Sequence, residues 1–136
     1  MSTTSAVRRP TAPLRVALQV FAALAVLTLL SQFVTAGQLF GQDRGEGTAA
    51  GAHAVGAIVL HVFSGLAAIA AGLLWRQGGL GIGLAALAAV VFALGFVQAA
   101  LGGYQTLYVH VPGAMILTAG AVWLLVAALR RRPADA

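Results

Sequence analysis

The 136-residue chain has no cysteine, no lysine and only three acidic residues, Asp43, Glu46 and Asp135. Without cysteine there is no disulfide, iron–sulfur cluster, thiolate metal site or covalent c-type haem attachment. Charged residues make up 8% of the chain, and 60% is hydrophobic, with a mean hydropathy of +0.94. A soluble domain of this length cannot bury so much apolar surface, so the composition implies an integral membrane protein with one compact membrane domain. All eight basic residues are arginine, which together with the abundant Ala, Gly, Leu and Val points to a GC-rich bacterial genome. The net charge of +5 does not indicate nucleic acid, because the arginines sit at the ends of apolar runs, where membrane topology accounts for them.

Four apolar runs, at 16–36, 51–74, 80–103 and 107–129, each reach the ~20 residues of a spanning helix. They define an all-α, up-down-up-down bundle of four transmembrane helices over residues 14–130, between a disordered tail 1–13 and a short tail 131–136. The first run is longer than the roughly 7–15 residues of a signal-peptide core, so it reads as a span, although Val34-Thr35-Ala36 resembles a cleavage site. Arg8, Arg9 and Arg15 precede the first span, Arg76 lies in the second loop, and Arg130, Arg131 and Arg132 follow the fourth span. Only Arg44 falls on the other side. The positive-inside rule then places both termini in the cytoplasm of a bacterium and the protein in its inner, cytoplasmic membrane. Trp75, Tyr104 and Tyr108 read as interfacial anchors, and the span glycines as close-packing positions.

The residues that composition does not explain are three histidines. His53 and His61 lie in the second run and His110 opens the fourth. Polar side chains are costly in hydrocarbon and often have a use there. In an up-down bundle the second and fourth helices run parallel and diagonally opposed, so a flat cofactor between them can take one axial ligand from each. Measured from Arg76 and Arg130 at about 1.5 Å per residue, His53, His61 and His110 stand roughly 34, 22 and 30 Å from that end. His53 is the nearer match to His110. His53, Ala57, Leu60 and Ser64 form one helical stripe, which His61 flanks about 80° round the helix. Neutral imidazole binds haem iron, so His53 and His110 are the candidate metal ligands of a b-type haem, with His61 as alternative or neighbour. Gln32, Gln98 and Ser64 read as interhelical hydrogen-bond partners. Arg44 reads first as a solvated loop arginine, with haem propionates as its alternative partner from the outer loop.

The segment "FVQAALGGYQTLYVHVPGAMIL", residues 96–117, resembles the helix pair found in each half of the haem A synthase family. There a Gln and then Leu-Gly close one span and a His followed by small and apolar residues opens the next. The matching residues are Gln98, Leu101-Gly102 and His110, and by position His53 matches the histidine of the family's second helix. "SQFVTAGQLF", residues 31–40, is similar to the first span of small actinobacterial four-span proteins of unknown function. Residues 49–52 are "AAGA", without the acidic residue that precedes the second-helix histidine in the synthases, and position 54 is Ala where they carry Arg. The synthases' outer-loop cysteine pair is missing too. The resemblance therefore implies haem binding, in electron transfer or haem handling, and not oxidation of the haem methyl group. A quinone or a larger respiratory membrane complex is the redox partner this implies. Two other classes stay open. One is a cofactor-free membrane scaffold or accessory subunit whose histidines join helices. The other is a small transporter or proton path, for which the spans offer no carboxylate.

Overall fold

The computed structural model describes residues 11–41 and 48–130. It is an all-α bundle of four helices, α1 (Ala12–Gly41), α2 (Thr48–Arg76), α3 (Ile82–Ala100) and α4 (Leu107–Arg130), with a single 3-10 turn at Tyr104–Thr106 before α4. All four are long and apolar enough to cross a membrane. The 19 residues of α3, the shortest, span about 28 Å at 1.5 Å per residue, close to the thickness of a bilayer's hydrocarbon core. Large apolar side chains project outward on every helix, among them Leu27, Ile58, Val90 and Ile116. Such a surface suits lipid, and the chain is a multi-pass membrane protein.

Three of the four helices, α1, α2 and α4, extend beyond their apolar runs. α1 starts at Ala12, inside the stretch read as tail, with Pro13 in its first turn, where the missing N–H has no intrahelical acceptor to lose. The rest of that tail, the tail 131–136 and the loop carrying Asp43, Arg44 and Glu46 lie outside the described residues, so the Arg44–propionate expectation does too. α3 is shorter than its run, which ends in Gly102 and Gly103. α4 continues through Pro112.

Each helix packs on its two chain neighbours, with α4 closing the ring against α1, so that α1 faces α3 and α2 faces α4 across the diagonals. The ends are set by local chemistry. At the end carrying Arg15, Arg76 and Arg130 (the arginine end), α2 stops at Gly78, whose φ of 73° suits a residue without Cβ. Gly79 N–H donates to Leu74 at 2.8 Å and Gly78 N–H to Trp75 at 2.9 Å, which satisfies two of the last carbonyls of the helix. Arg15 donates to the Gly79 carbonyl at 3.2 Å, and the Gln19 amide to the Ala128 carbonyl at 3.0 Å, tying the start of α1 to both neighbours. The core there is made of small residues around Leu18, Leu74 and Leu124. A second apolar layer, containing Leu29, Leu60, Val91 and Leu117, lies above it. Beyond that layer, toward the opposite end, the bundle opens.

Candidate functional site

The opening is a cavity of about 720 Å³, within the ~300–1,000 Å³ usual for ligand pockets. Its floor is Leu29, Leu60 and Leu117, and all four helices contribute walls. His53, His61 and His110 all line it. The only other side chains with amide groups there are Gln32 and Gln98, and among the described residues no charged side chain reaches it. Ala57, Gly95, Ala99, Gly102 and Ala114 keep the space open because nothing larger projects from those positions.

Each imidazole is held by Nδ1. His110 Nδ1 lies 3.0 Å from the backbone carbonyl of Gln98 on α3. His61 Nδ1 lies 2.6 Å from the carbonyl of Ala57, one turn back in α2. A carbonyl only accepts, so in both rings Nδ1 carries the proton and Nε2 the lone pair. His53 Nδ1 lies 2.9 Å from the Thr35 hydroxyl on α1. That hydroxyl is also 3.2 Å and 3.1 Å from the carbonyls of Ser31 and Gln32; with its one proton on either carbonyl, it accepts from His53 Nδ1–H. A metal-binding histidine is held in this way, one ring N–H fixed by the protein and the other nitrogen left to coordinate.

His53 and His110 are also level. Leu60 and Leu117, seven residues along from each, meet in the same buried layer, so both histidines stand about 10 Å beyond it on diagonal helices. His61 is set apart. Its ring lies against Phe96 of α3, tilted by 49° with centroids 4.1 Å apart, and its Nε2 is buried without a partner beside Gly95, where an added Cβ would come to 3.4 Å.

The glutamines do not behave as the sequence led us to expect. Gln32 Nε2 and Gln98 Oε1 are buried with no hydrogen-bond partner, so neither is the interhelical clasp that its depth implied. Each amide instead lies over a glycine of the next helix, Gln32 over Gly56 and Gln98 over Gly113, where a Cβ would collide with it. Ser64 likewise bonds within α2, to the Leu60 carbonyl at 2.7 Å. Gly56 and Gly113 read as packing positions in the sequence; their use as seats for amides depends on a side chain from another helix. Among the described residues no three His, Asp or Glu side chains gather as a metal site.

The sequence matches no family model, no curated protein and no solved structure.

Proposed function

We propose that the protein is a bacterial inner-membrane haem protein that holds one haem b in this cavity between α2 and α4, with His53 and His110 as axial ligands. The observation that carries this reading is the pair of level histidines on diagonal helices, each with Nδ1 bound to the preceding helix and Nε2 carrying the lone pair. The surroundings fit the group: a neutral, largely apolar cavity walled by small residues, with a third imidazole nitrogen unpartnered nearby. When bound, haem supplies an iron that exchanges one electron, and two imidazoles favour that use over oxygen chemistry. The protein's own contribution is to orient the rings through Thr35 and the Gln98 carbonyl, to keep the site in a low dielectric, and to leave His61 as a neighbour. The arginines at the other end support an orientation with the cavity in the outer half of the bilayer and both termini in the cytoplasm. A quinone or respiratory complex is the electron partner this reading takes.

One alternative has an observation of its own. The His53–Thr35 and His110–Gln98 bonds each join neighbouring helices, as the histidines of a cofactor-free scaffold would. An absorption spectrum of detergent-purified protein, expressed with ample haem, separates the two: a stoichiometric Soret band supports the haem reading, and a colourless protein supports the scaffold.

A further inference from the structure

The α1–α2 hairpin and the α3–α4 hairpin share a pattern, helix by helix. "HAVGAIVL" at 53–60 and "HVPGAMIL" at 110–117 share His, Gly, Ala and Leu at the same four places. Along α2 and α4 four buried positions then coincide, Leu60 with Leu117, Ser64 with Ala121, Ala67 with Leu124 and Ala71 with Ala128, while buried Ala49 and Ala70 correspond to half-buried Thr106 and Ala127. Along α1 and α3 they coincide as well: Ala22 with Ala88, Ala25 with Val91, Leu29 with Gly95, Gln32 with Gln98. For Gln32 it is the amide nitrogen that is buried; the whole Gln98 side chain is buried, at 9% exposure. The match extends to side-chain geometry. Gln32 lies over Gly56 as Gln98 lies over Gly113. At the equivalent positions 61 and 118, His61 Nδ1 and Thr118 Oγ1 each donate to the carbonyl four residues back, at 2.6 Å and 2.8 Å. Up-down connectivity relates the two hairpins by an axis along the bundle, which passes through the cavity.

We infer that the bundle is one helical hairpin repeated in tandem, and that the cavity is a two-fold site built from two equivalent half-sites, Gln32–His53–Gly56 and Gln98–His110–Gly113. This assigns Gln32 and Gln98 to the site as a matched pair of side chains that line it, each with its amide seated on a glycine of the next helix. Each glutamine has one buried amide atom without a partner, Nε2 of Gln32 and Oε1 of Gln98, which is costly in both halves. It also narrows the ligand class. Equivalent half-sites on diagonal helices grip a flat, neutral-cored group whose two faces are alike, such as a porphyrin. The halves diverge where His61 has Thr118 as its counterpart, Leu29 has Gly95 and Phe33 has Ala99, and these differences make a two-fold cavity one-sided. The inference rests on the cavity being a ligand site, but its first tests need no ligand.

The test exchanges the two octapeptides, placing "HVPGAMIL" at 53–60 and "HAVGAIVL" at 110–117 in the full chain, and measures thermal unfolding in detergent. The exchanged chain is expected to stay helical and to melt within about 5 °C of the parent. Gln32→Leu and Gln98→Leu, each removing an orphaned amide, are expected to raise the ligand-free Tm by similar amounts, about 2–8 °C. Metal-free protoporphyrin IX, which needs no axial ligand, is the binding probe, and either variant is expected to weaken its binding several-fold and equally. Shifts of opposite sign from the two Gln variants overturn the equivalence even if the exchanged chain fails to fold. Porphyrin binding that is absent in the parent, or untouched by both Gln variants, overturns the amides' role. If the porphyrin binds as expected while haemin gives no histidine-dependent spectrum, the half-sites stand and the axial-ligand reading falls.

Discussion

His110 Nδ1 donates to the backbone carbonyl of Gln98, 3.0 Å away and twelve residues earlier in the chain. That carbonyl is one of the last four of α3, which a helix cannot satisfy internally, and the Leu101 N–H reaches it only at 3.2 Å. The imidazole therefore does structural work whether or not a metal is present. His110→Ala is expected to lower the stability of the ligand-free protein by about 0.5–1.5 kcal/mol, as for one lost hydrogen bond. Thermal unfolding in detergent checks this; an unchanged Tm would mean that the bond is not maintained.

The glycines separate into two kinds. Gly72 has open space where a Cβ would go, and Gly72→Ala is expected to be neutral or to stabilise by up to about 1 kcal/mol through helix propensity. Gly56→Ala and Gly113→Ala each push a flexible amide aside. They are expected to leave the protein folded and to lose ligand affinity, because the displaced amide enters the cavity. Unfolding curves measured alongside haemin titrations separate the effects. Ligand affinity that survives both substitutions would show that the amides do not border the bound group.

The four helices and their diagonal arrangement are legible in the sequence, since hydropathy marks each span and short loops fix the neighbours. The helix ends are not. α1 runs on to Gly41 because Gly37, Gln38 and Leu39 continue a helix that hydropathy alone would stop. The three histidines were legible as candidates because imidazole is rare in hydrocarbon, but the lone pair on Nε2 depends on Thr35 and on a backbone carbonyl, which no residue pattern announces. The repeat was hidden by loop length. Gln and His are 21 residues apart in the first hairpin and 12 in the second, so no constant offset aligns both helices, and only the burial pattern and the amide–glycine contacts bring the halves into register.

Orientation is open to a direct experiment, because the chain has no cysteine to give background. With the cytoplasmic termini that the arginines imply, Glu46→Cys is expected to react with a membrane-impermeant maleimide on intact cells and Gln77→Cys only after lysis. The reverse labelling would place the cavity in the inner half of the bilayer.

The missing acidic residue before His53 sets the chemistry expected of a bound haem. Membranes containing this protein and supplied with haem O are expected to form no more haem A than membranes lacking it, by chromatography of the extracted haems. Haem A above that control would make the chain an enzyme and shift the catalytic role to residues other than a carboxylate.

The axial ligands are the central claim, and the absorption spectra of three single variants test it most directly. The parent is expected to give a low-spin, six-coordinate spectrum with one haem per chain. His110→Ala is expected to lose the haem or bind it far more weakly. His53→Ala is expected to do the same or turn high-spin. His61→Ala is expected to stay low-spin, with at most a shifted potential from the altered surroundings of the ring. Loss of haem in His61→Ala with retention in His53→Ala would contradict the assignment and move the haem toward the floor of the cavity, and a colourless parent would replace the haem reading with the scaffold.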